Sequence, residues 1–148
     1  MINKISINTK MGWVSVFAED NKIKKIKFLK KKKQKKNKLL KKFKEKNLIF
    51  FKEKKFKYNT PYELNGTLMQ KKIWNELKEI KVGTTKTYGE IGKKYKISPR
   101  YVGKICSQNK LVLLIPCHRV VRSDGSLGGF TSNGGIKLKK KLLQFEKI

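Results

Sequence analysis

Three helix-start signals crowd the stretch from Thr67 to Pro99, and they constrain the fold more than any other feature of the chain. Thr67-Leu-Met-Gln70 has the spacing of a capping box, in which the hydroxyl and the amide each satisfy a backbone N–H that the first turn leaves open. Ile73, Trp74, Leu77 and Ile80 follow at helical intervals, so the spacing predicts an amphipathic helix over 68–80, stopped near Gly83. Thr87-Tyr-Gly-Glu90 repeats the signal and opens a short helix to about Tyr95. Ser98-Pro99 then supplies an N-cap and a first-turn proline for a helix over 99–108, with Val102 and Ile105 on its buried side. Two short helices joined through Lys-Ile-Ser-Pro at 96–99 read as a helix-turn-helix.

The amino-terminal half is patterned differently. Ile23, Ile26 and Phe28 follow earlier alternating apolar positions, which predicts short strands through residues 5–28. The Lys-dense stretch beyond them carries Leu39, Leu40, Phe43 and Phe50 and predicts a helical segment over 38–46. Proline disfavours helix in the residue before it, so Thr60-Pro61 marks a boundary between a Lys-rich domain, 1–60, and a second domain, 61–148. At the far end, residues 136–146 predict a last helix with Leu138, Leu142, Leu143 and Phe145 inward and Lys137, Lys139, Lys140 and Lys141 mostly outward.

Charge enters the argument through its imbalance. Among 148 residues there are 39 Lys and Arg against 10 Asp and Glu, a formal net charge of +29, and Arg stands only at positions 100, 119 and 122. A polyanion is the partner such a surface fits. A nucleotide-biased genome accounts equally for abundant Lys, Asn and Ile, so charge by itself implies non-specific nucleic-acid affinity and nothing finer. The first residues lack the apolar core of a signal peptide, and no run approaches the length of a membrane span, so a soluble, intracellular protein is expected. Cys106 and Cys117 are too few for a disulfide framework, and with His118 they leave a zinc site short of a ligand.

The lone histidine directly follows Cys117 at the end of an apolar run, 111–115. A thiol is a weak nucleophile until a base raises its thiolate fraction, and a carboxylate such as Glu146 could orient that base. The plain alternative for a Cys-His pair is a buried thiol beside a hydrogen-bonded core histidine. A thiol protease fits less well, because its Cys and His come from distant segments and this chain has no second His.

The wider pattern decides between these readings. Pro116-Cys117-His118-Arg119-Val120, preceded by Asn109 and by Arg100-Tyr-Val-Gly103 and followed by Gly128-Gly129-Phe130, resembles the O6-alkylguanine-DNA alkyltransferase family from about Gly66 to Glu146. That resemblance implies an α/β (α+β) fold: a small variable amino-terminal α/β domain and a mostly helical carboxy-terminal domain holding the helix-turn-helix and an active-site loop. It implies that Cys117 is the alkyl acceptor, that His118 deprotonates it through a bound water, that Glu146 orients His118, and that Asn109 braces the active-site turn. The O6 atom lies inside the duplex stack, so the nucleotide must be rotated out before transfer.

By the same resemblance, Arg100 fills the vacated space, and Tyr88 crowds the rotating phosphate and hydrogen-bonds the base. The recognition helix enters the minor groove, where Gly103 allows close approach; Tyr101 stands where the family has a small residue, and Ser98 and Thr87 complete the DNA-facing set. The base pocket is implied to include Tyr88, Val120, Phe130 and Thr131, with carbonyls at Cys117 and Val120 accepting from the guanine amino group and an N–H near Thr131 donating to O6. Phe130 replaces the Tyr of many members, removing a hydroxyl contact, and Cys106 is expected in the core or pocket wall.

The activity implied is direct-reversal repair: one irreversible transfer per protein, with O4-alkylthymine a lesser substrate. It needs no metal or organic cofactor, and its partner is double-stranded DNA containing O6-alkylguanine, bound by a monomer, in the cytoplasm of a prokaryote or the nucleus of a eukaryote. A lesion-binding module of the alkyltransferase-like kind would lack the acceptor, so Cys117 stands against it. A generic helix-turn-helix regulator would leave Cys117, His118 and Glu146 without a purpose.

Overall fold

Two tight turns fold the first strands into a meander. Asp20 and Asn21 both take positive φ, 52° and 58°, the pair a type I′ hairpin requires, and they join β2 (Gly12–Glu19) to β3 (Lys22–Phe28). Gly12, at φ 116°, closes the turn between β1 (Asn3–Thr9) and β2, where the Thr9 hydroxyl donates to the Gly12 carbonyl at 2.6 Å. The sheet is antiparallel in the order β1-β2-β3, with a bulge at Phe17/Ala18. One face is covered by α1 (Lys38–Glu53), whose Leu40, Phe43, Phe50 and Phe51 are buried, as are Ile5, Ile7, Val14, Val16, Ile23 and Ile26 of the strands.

The chain separates into two compact units, Met1–Leu64 and Asn65–Ile148. This computed structural model describes residues 2–29, 34–35, 37–53, 60–129 and 135–147. Helix α1 extends seven residues beyond the 46 anticipated, because Phe50 and Phe51 continue the apolar stripe despite the lysines around them. Among the described residues no helix is long and apolar enough to cross a membrane.

In the second unit, α2 (Leu68–Lys78) begins at the anticipated capping box: the Thr67 hydroxyl accepts from Gln70 N, and the Gln70 side chain accepts from Thr67 N. It ends two residues early, with Glu79 and Ile80 in a turn. β4 (Lys86–Thr87) pairs in parallel with β5 (Val120–Val121), Lys86 opposite Val120 and Thr87 opposite Val121. The helix-turn-helix is α3 (Tyr88–Tyr95) and α4 (Pro99–Ser107), each capped as its sequence demands, by Thr87 accepting from Glu90 N and by Ser98 accepting from Tyr101 N.

Between those helices, Lys96 adopts the left-handed conformation and Ile97 N donates to the Gly92 carbonyl at 2.9 Å. A Cβ on Gly92 would lie 2.6 Å from the Ile97 oxygen, so only glycine permits this turn. α2 locks onto the pair through Trp74 Nε1, which donates to the Ile105 carbonyl at 3.1 Å, and through Glu76, a buried carboxylate that accepts from Lys86, Lys94 and Tyr95. Burial works to raise the Glu76 carboxyl, but these donors outweigh it and hold it at about 2.

Helix α5 (Gly135–Glu146) closes the unit and carries one correction. Leu138 and Leu142 are buried as anticipated and Leu143 and Phe145 half-buried, but Lys139, expected to face outward, has no exposed surface at all. It falls one residue past Leu138, on the inner face, and polar groups receive its ammonium there.

Candidate active site

The apolar run 111–115 is bent into a turn, with Ile115 N donating to the Leu111 carbonyl at 2.8 Å and Leu113 at φ 72°. Asn109 holds both ends. Its Nδ2 donates to the Ile115 carbonyl at 2.8 Å, and its Oδ1 accepts from Leu111 N at 2.8 Å. The turn delivers Cys117, His118 and Arg119 as one 3-10 turn, all three buried.

Cys117 and Cys106 line a cleft of about 620 Å³, with Tyr88, Arg100, Arg122 and Gly128 among its walls. Burial pushes the Cys117 thiol up, while a hydrogen bond from the Asn109 side chain and the nearby Lys139 charge pull it down. Cys106 is pushed up to about 12, chiefly by burial, and so stays a neutral thiol. His118 faces the other way: its Nε2 lies 3.0 Å from Glu146 Oε1. Burial lowers the imidazole pKa against the pull of Glu146, so the ring is neutral at pH 7. With Nε2–H assigned as donor to the carboxylate, Nδ1 keeps a free lone pair.

Glu146 has a second partner that the sequence reading did not anticipate. Arg119 donates to it through Nε, at 3.0 and 3.2 Å, and through Nη2 at 2.6 Å, and its Nη1 donates to the Ile80 carbonyl at 2.8 Å. Burial favours the protonated acid, yet the hydrogen bonds from His118 and Arg119 hold Glu146 at about 2. The carboxylate is therefore ionised, balanced by a guanidinium and bonded to a neutral imidazole.

Tyr88 stands at the start of α3, clamped between backbones. A Cβ on Gly128 would come within 3.0 Å of its ring and hydroxyl, and one on Gly103 within 3.8 Å. Burial raises its phenol to about 12, so it remains an O–H donor. Lys139 Nζ lies 3.2 Å from both Tyr88 Oη and the Gly129 carbonyl, and 5.5 Å from the centre of the Tyr88 ring. Burial lowers the Lys139 ammonium to about 8 even though the two thiols would favour its charge.

Residues 68–148 match the family model described as 6-O-methylguanine DNA methyltransferase, DNA binding domain. The chain belongs to the O6-methylguanine-DNA methyltransferase family. It is 51% identical over 87 residues to a methylated-DNA--protein-cysteine methyltransferase of Methanocaldococcus vulcanius, covering 59% of this chain and 52% of that one. It is 33% identical over 138 residues to a namesake of Metallosphaera sedula, covering 91% of this chain and 86% of the relative. The chain thus spans about half the length of the Methanocaldococcus relative, and nearly all of the Metallosphaera one. Among solved structures, the Mycobacterium tuberculosis OGT in complex with DNA superposes with a TM-score of 0.82 at 25% identity, over 96% of this chain and 91% of that chain.

Against this family background, the structure brings together most of the residues singled out from sequence. Cys117, Tyr88, Arg100 and Gly103 line one cleft, and Asn109, His118 and Glu146 lie buried behind it. Val120 is a buried β5 residue paired with Lys86 rather than a cleft wall. The Thr87 and Ser98 hydroxyl oxygens serve as helix caps, and Tyr101 is 41% exposed on α4. Phe130 and Thr131 lie outside the described residues. Arg119 and Lys139 were missed; the rarity of Arg in so Lys-rich a chain was a usable signal for the first, since all three arginines, at 100, 119 and 122, belong to this site.

Proposed function

We propose that the protein repairs DNA by moving an alkyl group, chiefly methyl, from O6 of guanine in a duplex to Cys117. The observation that carries this reading is the buried Cys117 on the cleft floor, bonded to Asn109 and followed by a neutral His118 that Glu146 and Arg119 fix in place. Nδ1 of His118 takes the thiol proton through a water, and the thiolate attacks the alkyl carbon. A C–S bond forms, the O6–C bond breaks with its electron pair passing to guanine, and the Tyr88 O–H is aimed to donate a hydrogen bond to the departing base. Lys139 anchors the Tyr88 oxygen and offsets the thiolate charge. The thioether product is neither a good nucleophile nor a leaving group, so each protein acts once.

Delivery requires base flipping. The helix-turn-helix docks as a monomer in the minor groove, Arg100 fills the space left in the stack, and Gly103 lets α4 approach closely. Exposed Tyr101 meets the DNA backbone beside it, with the Ser98 and Thr87 ends of the two helices. A degenerate groove suits a protein that must act in any sequence.

The test is intact-protein and peptide mass after incubation with a duplex bearing one O6-methylguanine, for wild type and Cys117→Ala. A single methyl on the Cys117 peptide, with one lesion lost per protein, is expected from wild type and none from the variant. Tight lesion binding without mass gain would move the protein to a binding-only role.

A further inference from the structure

Arg122 is a side chain of the cleft that none of the preceding chemistry uses. It lines the same cavity as Cys117, Tyr88 and Arg100, yet it is exposed, at the rim rather than the floor. Among the described residues its guanidinium has no hydrogen-bonded or ion-paired partner. Its backbone, by contrast, is tightly held. Arg122 N donates to the Ser126 carbonyl and Gly125 N to the Arg122 carbonyl, each at 2.9 Å. The neighbouring carboxylate of Asp124 is spent inside that turn, where Oδ1 accepts from Ser126 N at 2.9 Å and Ser126 Oγ at 2.7 Å.

The register of the parallel pair explains why the turn sits where it does. Thr87 lies opposite Val121, so the next residues on the two chains are Tyr88 and Arg122. The contact continues one step further: a Cβ on Gly89 would fall 2.9 Å from the Ser123 hydroxyl. Arg122 is therefore carried by a braced turn beside Tyr88, and its charge is felt by both Tyr88 and Lys139.

We infer that Arg122 grips a backbone phosphate of the nucleotide whose base enters the cleft, and so holds the extruded nucleotide in place for transfer. The inference rests on the alkyl-transfer reading above. Three observations favour phosphate over base. The guanidinium is at the rim, where sugar and phosphate must remain when the base fills the cavity. A planar fork with several donors suits a phosphate, and here it stands in a chain that uses Lys for nearly every other positive charge. Among the described residues no carboxylate is ion-paired with it: Asp124 feels its charge, but spends its hydrogen bonds on Ser126.

Arg122 is thus a positioning residue with a role complementary to that of Arg100. The experiment compares wild type, Arg122→Gln and Arg122→Lys in duplex affinity over a range of salt, and in methyl transfer from a lesion duplex and from free O6-methylguanine base. Arg122→Gln is expected to weaken duplex binding roughly tenfold and to lower the slope of log affinity against log salt by about one. The ratio of duplex to free-base transfer rates is expected to fall with it, and Arg122→Lys to recover the salt slope. An unchanged salt slope overturns the inference, as does equal slowing on duplex and free base, which would assign Arg122 to the acceptor chemistry. The salt slope is read from binding alone, so it decides the phosphate contact even if wild type transfers no methyl group; only the latter failure counts against the activity.

Discussion

Replacing Glu146 by Gln tests the electrostatic core of the site, and its size follows from the structure. In the folded protein the carboxyl sits at about 2, against an ordinary 4.5. That difference corresponds to roughly 3 kcal/mol of folded-state preference for the ionised form. Breaking a buried pair by removing one partner costs about 3–5 kcal/mol, because the remaining charge is left uncompensated. Here that charge is Arg119, only 7% exposed. Glu146→Gln is therefore expected to lose about 3 kcal/mol at pH 7 in urea unfolding, a fall in Tm of about 10 °C for a chain of this size.

The pH dependence gives the sharper check. A carboxylate with a depressed folded pKa contributes fully above the unfolded value and loses that contribution as pH falls from 4.5 toward 2. The gap between wild type and Glu146→Gln should therefore narrow from about 3 kcal/mol at pH 7 to about 1 kcal/mol at pH 3. A gap that stays constant across this range, or a variant within about 0.5 kcal/mol of wild type at pH 7, would refute the reasoning. Methyl transfer should also slow, since the Gln amide offers one uncharged acceptor oxygen where His118 and Arg119 share two of a carboxylate.

Two further substitutions probe other parts of the unit. Lys139 binds its proton less tightly folded, at about 8, than unfolded, at 10.5, so its own contribution to stability should rise with pH across that window, against the fall that the raised Cys106 and Cys117 thiols impose; the Tm of Lys139→Met relative to wild type should therefore decline from pH 7.5 to 10, and alkylation of Cys117 by iodoacetamide should slow. Gly92→Ala places a Cβ 2.6 Å from the Ile97 oxygen, and should cost about 1–3 kcal/mol in urea unfolding together with a loss of duplex affinity, because the turn between α3 and α4 must open; a neutral result would show that this turn has slack.

Much of the second unit was legible in the chain because its helices are set by local chemistry. Thr67 with Gln70, Thr87 before Glu90, and Ser98 before Pro99 satisfy first-turn N–H groups within three residues, so each helix start is written where it occurs. The Thr60-Pro61 step lies four residues before the observed division at Leu64, and the extent of α1 was harder to read because charged residues interrupt its apolar stripe. The cluster of Cys117 with His118 was equally visible, since the two are adjacent in sequence.

Partnerships across long separations could not be read in that way. Arg119 meets Glu146 across 27 residues, and Lys139 meets Tyr88 across 51. Helical periodicity assigned Lys139 to solvent because a pattern of apolar and charged residues records average preference, not whether a phenol and a carbonyl wait inside. The sequence by itself determined the helix-turn-helix and set Cys117 beside His118 at the end of an apolar run, all through features a few residues long. Only the tertiary structure decided which charges would be buried, because the cost of removing an ammonium or a carboxylate from water is met by donors and acceptors that distant segments bring to it.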